Sequence, residues 1–119
     1  MIEGRCHCGR VGWALHVEPD WLTRCNCSFC RRSGALWAQA PVDAVTLSGA
    51  AEDRLRYIQG DATLAFVSCA RCGCITHWES LDPAGHPRMA VNMTMAAPDA
   101  LDNRRIRRFD GADSWRFLD

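Results

Sequence analysis

The chain has 119 residues, 48 % of them hydrophobic, and its 14 basic residues balance 14 acidic ones for a net charge of zero. That length supports one modest core, that composition argues against disorder, and the neutral balance gives no support for a nucleic-acid or membrane-surface partner. No apolar run approaches the roughly 18 residues of a membrane span, and every basic residue is arginine, so no lysine is available to a catalytic scheme.

The opening Met1-Ile2-Glu3-Gly4-Arg5 has no signal-like apolar segment, so a cytoplasmic location is expected. Cys6-His7-Cys8-Gly9 follows as a two-thiol knuckle, in which glycine suits a positive φ beside a metal. Residues 11–17 predict a strand with Val11, Trp13, Leu15 and Val17 on one face. A turn at Glu18-Pro19-Asp20 leads to a second strand over 21–24. That strand delivers Cys25-Asn26-Cys27-Ser28-Phe29-Cys30-Arg31-Arg32-Ser33-Gly34. The C-x-C half lets two thiolates reach one metal from the end of an extended strand. A helical turn over 28–33, closed by Gly34, swings the third thiolate to the same point. Three protein ligands leave a tetrahedral zinc one position short, as in catalytic rather than structural sites. Zinc with three thiolates carries one net negative charge and a substrate thiolate adds another. Arg31 and Arg32 are therefore expected to offset that charge and to contact substrate.

Short strands are expected over 36–40, 45–47 and 55–58, separated by Pro41-Val42-Asp43 and by Gly49 and punctuated by Gly60. Residues 64–68 then run into Cys69-Ala70-Arg71-Cys72-Gly73-Cys74, and 75–79 lead out again, the strand–knuckle–strand pattern of a zinc ribbon. Cys6, Cys8, Cys69 and Cys72 together make a four-thiolate structural set closing a loop of about 60 residues. Such a cross-link stabilises a fold by several kcal/mol. Two alternatives compete with this grouping. Cys74 could join Cys25, Cys27 and Cys30 in a second closed site, or the eight cysteines could form disulfides, which a reducing compartment disfavours. Cys74 itself reads as a small buried hydrophobe at the start of a strand, or as a spare thiol.

Asp82-Pro83-Ala84-Gly85 is a loop, residues 88–95 a strand and 98–103 a helical turn. Strands over 104–109 and 115–118 close the chain around Asp110-Gly111. His77 is the best candidate for proton transfer, against the more common structural role of a lone histidine. His7 is expected to point away from the metal of its neighbours, His16 reads as a surface or core-edge residue of a strand, and His86 in a polar loop carries no signal. The five tryptophans are core material, with one or two lining a pocket above the open metal position. Arg104-Arg105-Ile106-Arg107-Arg108 reads as the solvated face of an edge strand before it reads as an anion site. With no repeat or linker, residues 1–119 are expected to be a single domain of mainly β class, built of small antiparallel sheets with zinc knuckles.

The ordered set Cys6 to Gly9, Cys25 to Gly34 and Cys69 to Gly73 resembles the glutathione-dependent formaldehyde-activating enzyme family, which includes centromere protein V. The closing Phe109-Asp110-Gly111-Ala112-Asp113-Ser114-Trp115 is similar to tails of its small bacterial members. The resemblance implies the zinc-binding β fold shared with a mammalian Rab exchange factor. It implies a structural zinc on Cys6, Cys8, Cys69 and Cys72 and a catalytic zinc on Cys25, Cys27 and Cys30. The implied activity is condensation of a glutathione-like thiol with an aldehyde such as formaldehyde, a carbon–sulfur lyase in the reverse direction. The alternative that the residues leave open is a non-catalytic, zinc-stabilised protein-binding module.

Overall fold

Runs of β-branched and aromatic residues, cut short by turn signals, fold into ten short strands and one helix of two turns. In the computed structural model, which describes all 119 residues, the strands are β1 (Ile2–Arg5), β2 (Gly12–Leu15), β3 (Leu22–Cys25), β4 (Trp37–Pro41), β5 (Val45–Ser48), β6 (Arg54–Ile58), β7 (Leu64–Cys69), β8 (Ile75–Ser80), β9 (Arg88–Asn92) and β10 (Ile106–Phe109), with α1 at Ser28–Ser33. The protein is mainly β, as expected. Three strands form one sheet in the order β1-β2-β5, and seven form another in the order β10-β3-β4-β9-β8-β7-β6. Every pairing is antiparallel except that of β10 with β3, which is parallel. No helix is long and apolar enough to cross a membrane.

Period-two alternation gives the large sheet two faces of different character. One face packs on the small sheet: Leu22, Ala38, Ala40 and Val91 meet Ile2, Trp13 and Leu15 in the main core. The other face carries a row of cross-strand neighbours running Tyr57, Phe66, Trp78, Ala90 and Gln39. Trp37 and Thr23, paired across β4 and β3, continue that face toward the cysteine-bearing end of β3. Phe29 of α1 stacks on Phe66 at 4.1 Å between ring centroids and on Tyr57 at 5.5 Å, docking the helix to the aromatic face.

Four departures from the sequence reading have physical causes. The unexpected β1 pairs with β2, Ile2 opposite Leu15, and alternates buried and exposed residues. Four residues are too short a run to announce a period. The strand expected over 11–17 is shorter, although Val11, Trp13 and Leu15 are buried as predicted while Val17 is exposed. The strand expected over 88–95 ends at Asn92 because the Asn92 carboxamide accepts from the N–H groups of Leu36 and Thr94, turning residues 93–95 into a 3₁₀ turn. Residues 115–118 form no strand. Only Phe117 bridges Phe109, and the chain from Asp110 onward is wound by turns.

Two glycines separate conformational need from crowding. Gly34 ends α1 at φ 70°, its N–H bonding Cys30 O, and a Cβ there would meet nothing within 4 Å. Gly49 has φ 104°, and a Cβ there would overlap the carbonyl oxygen of Arg10. Gly34→Ala should therefore cost about 1 kcal/mol from φ alone. Gly49→Ala should cost roughly 2–4 kcal/mol because strain and overlap add. Urea unfolding of both variants checks the order, and equal losses would contradict it.

Candidate metal centres

A cysteine becomes a metal ligand when its chain segment aims the thiolate and offers it hydrogen bonds. Both cysteine sets meet that condition. Cys6 and Cys8 flank the turn between β1 and β2, while Cys69 ends β7 and Cys72 lies in the knuckle before β8. Their four sulfurs lie within 4.8 Å of one another. Cys6 Sγ is 3.7 Å from Cys8 Sγ, which is 3.5 Å from Cys69 Sγ. Tetrahedral coordination at 2.3 Å puts zinc-bound sulfurs about 3.8 Å apart, so the donor set fits such an ion. The Val11 N–H donates to Cys6 Sγ and the Arg71 N–H to Cys69 Sγ, each at 3.3 Å. The Cys72 thiol is pulled down to about 5, chiefly by the backbone N–H of Cys74. All eight cysteines are free thiols, so the disulfide alternative does not occur.

The second centre is Cys25, Cys27 and Cys30, again with sulfurs within 4.8 Å, and no fourth histidine, cysteine or carboxylate joins it. Cys27 is the N-cap of α1, its sulfur accepting from the Cys30 N–H at 3.3 Å. The Cys27 N–H donates to Cys25 Sγ at 3.4 Å, and the Trp37 indole N–H to Cys30 Sγ at 3.4 Å. Each sulfur of the trio thus accepts at least one N–H. Cys25 is drawn down to about 6, first by the Cys30 thiol and then by N–H groups that include that of Gly111. Cys30 is pushed up, chiefly by sharing its proton with Cys25 and then by burial. Cys74 stays with the first centre, packed against Cys6, Val11 and Cys69, so its grouping with the trio does not occur.

Two clefts open beside the trio. The larger, about 560 Å³, lies on the aromatic face and includes Cys25, Cys27 and Cys30 in its wall, with Trp37, Phe66, Trp78, Phe109 and Trp115. Three tryptophans line it rather than the expected one or two. The smaller, about 310 Å³, touches Cys25 and Cys30 from another side and is lined by Arg24, Arg31 and Arg108. Arg31 therefore borders the trio through the smaller cleft, whereas the exposed Arg32 donates to Ser28 O at 2.7 Å and closes its own helix. His77 is completely buried on the core face of β8, with Nδ1 2.9 Å from Thr76 Oγ1. Its Nε2 has no hydrogen-bond partner and lies 3.9 Å from Glu79, and the ring does not line the large cleft.

Sequence reasoning missed the residues that bring the tail to the trio. The Asn26 side chain, between two thiols, donates to Asp110 Oδ1 at 2.9 Å and accepts from the Ala112 N–H at 3.0 Å. Gly111 sits so close to the trio that a Cβ there would lie 2.5 Å from Cys25 Sγ. The Asp-Gly pair inside the closing motif was the available signal, but only the fold sets it against residues far earlier in the chain.

The model of the family described as glutathione-dependent formaldehyde-activating enzyme matches residues 1–107. A crystal structure of a Rhodobacter sphaeroides protein superposes with a TM-score of 0.71 at 30 % identity, over 88 % of this chain and 99 % of that one.

Cys69→Ser should lose one metal equivalent per chain and about 3–5 kcal/mol of stability, the range for releasing a long cross-linked loop. Elemental analysis with urea unfolding reads both. A second expectation concerns the tail. Asp110 is held below its ordinary 3.8 first by the Asn26 amide and then by the N–H and O–H of Ser114. A depressed folded value contributes stability above pH 3.8 that disappears as pH falls through it. Asp110→Asn should lower Tm at about pH 6 and leave it nearly unchanged at about pH 2. An equal loss at both would show that the carboxylate charge is irrelevant.

Proposed function

The chain belongs to the glutathione-dependent formaldehyde-activating enzyme family, and from that premise we propose that it is a zinc enzyme of carbon–sulfur lyase type. It joins a glutathione-like thiol to an aldehyde such as formaldehyde, or cleaves the S-hydroxymethyl adduct. The reading takes residues 1–119 as one zinc-binding domain working in the cytoplasm, where thiols stay reduced. One observation carries it: three cysteine sulfurs converge in the wall of an open cleft with no fourth protein ligand.

Cys6, Cys8, Cys69 and Cys72 would hold a structural zinc and Cys25, Cys27 and Cys30 a catalytic one. When bound, the second ion supplies Lewis acidity toward a thiol or carbonyl in its open position. The chain's own residues supply the rest. An unperturbed thiol of pKa ~8.5 is about 3 % ionised at pH 7, so complete ionisation gains at most about 30-fold. Part of that is lost because a less basic thiolate attacks less readily. Most of the acceleration must come from holding thiol and carbonyl together at the trio. The cleft has no histidine or lysine, and its neutral donors include the hydroxyls of Thr23, Ser28 and Thr63 and the amides of Gln39 and Gln59. These can hydrogen-bond the oxygen on which charge develops. Arg31, bordering the trio from the smaller cleft, offsets the negative charge of thiolates at the centre. Arg32, next to it on α1, adds to the local positive potential.

Cys27→Ala should abolish turnover, a loss of at least about 10³-fold, while the circular dichroism spectrum and the first metal are retained. Glutathione should perturb the d–d bands of the cobalt-substituted wild type and not those of the variant. Two thiol-inert metals in the wild type would instead indicate a closed, non-catalytic protein.

A further inference from the structure

The two clefts at the trio differ in a way that bears on what reacts there. Apart from its thiols, the larger cleft presents one ionisable side chain, Asp61, and no cation. The smaller presents three arginines. Arg24 and Arg108 are partners on the parallel strands β3 and β10, an arrangement of like charges that costs energy unless an anion shares it. Arg108 has Asp119 at 3.6 Å, while Arg24 and Arg31 take part in no salt bridge. A glutathione-like thiol is an anion with two carboxylates. Placing them in the large cleft would set them against Asp61 and the thiolates without a counter-charge. The smaller cleft offers the opposite field and would suit the thiol, which would leave the large cleft for the carbonyl partner.

The cleft, about 560 Å³ with an aromatic floor, has room for a carbonyl compound far larger than formaldehyde, since a cavity of roughly 150 Å³ already holds benzene. Trp115 adds a second sign of an apolar occupant. It is 67 % exposed at the cleft rim and has φ 58°, a left-handed geometry that a bulky residue adopts only under constraint. Its N–H to Asp110 O at 2.8 Å imposes that backbone, and its ring stands edge-on to Phe109 at 5.6 Å. A large aromatic side chain held in solvent at a strained position is a wall waiting for a ring.

We propose that the carbonyl substrate seated in this cleft is an apolar aromatic aldehyde of about the size of benzaldehyde, a proposal that rests on reading the trio as a thiol–aldehyde centre. The thiol sulfur forms the new C–S bond as the carbonyl π bond opens, and the thiol proton ends on the former carbonyl oxygen. The product is a thiohemiacetal, nothing is oxidised or reduced, and the lyase direction is the reverse.

The test uses the zinc-loaded protein with glutathione held constant. Loss of carbonyl absorbance for benzaldehyde, and trapping of unreacted formaldehyde, give kcat/KM for each. The wild type should prefer benzaldehyde, and Trp115→Ala should lower the benzaldehyde-to-formaldehyde ratio about tenfold, mainly through KM. Benzyl alcohol, which cannot react, provides a readout independent of turnover. It should perturb the tryptophan fluorescence of the wild type and bind about tenfold more weakly to the variant. If it behaves so while no thiol alters the cobalt spectrum and no aldehyde is consumed, the aromatic ligand class of the cleft is supported and the thiol–aldehyde reading falls. A preference for formaldehyde, or benzyl alcohol binding that is absent or indifferent to Trp115→Ala, overturns the proposal.

Discussion

Four sulfurs held within 4.8 Å of one another, drawn from residues as far apart as Cys8 and Cys69, are the constraint on which the rest of the fold depends. Two unit charges 4 Å apart repel by about 4 kcal/mol at an effective dielectric near 20. Four thiolates in that space contain six such pairs. Protons or a dication must occupy the group, and a dication also cross-links the chain. Such a cross-link would join the turn between β1 and β2 to the end of β7, fastening the small sheet to the large one. The main core, from Ile2 and Trp13 across to Ala38 and Val91, lies in the space so enclosed.

With the sheets fastened, the two faces of the large sheet take different work. The core face buries His77 among β strands, where it lines neither cleft at the trio. The opposite face, partly covered by α1, presents Phe66, Trp78 and Trp37 to the wall of the large cleft, and the trio stands at its end. That division leaves the trio with hydroxyls and amides for neighbours, and with arginine only on its far side. The proposed chemistry would therefore depend on placement and electrostatics more than on a general base.

The helix over Ser28–Ser33 and its Gly34 cap were legible because a capped turn is specified by neighbours in sequence. The two cysteine groupings were legible for a related reason: knuckle spacings such as Cys6-x-Cys8 and Cys69-x-x-Cys72 aim thiolates locally. The tail was not legible. Residues 115–118 have an apolar pattern that suits a strand, but Asp110 bonds Asn26 and Ser114 and winds the chain into turns instead. The strand over Arg88–Asn92 stopped early for a similar reason, since the Asn92 carboxamide competes with the ladder for backbone N–H groups.

By itself, then, the sequence determined the β class, the two cysteine groupings and the short helix that carries Cys30, because each follows from local spacing and local backbone preference. Tertiary structure alone decided which side of the trio is aromatic and which is cationic. It also decided that Cys74 packs against the first centre, that His77 is buried away from the site, and that Gly111 and Trp115 line the large cleft. Those outcomes depend on strand order and on which strand pairs in parallel, and pairings between distant segments leave no period in the sequence to read.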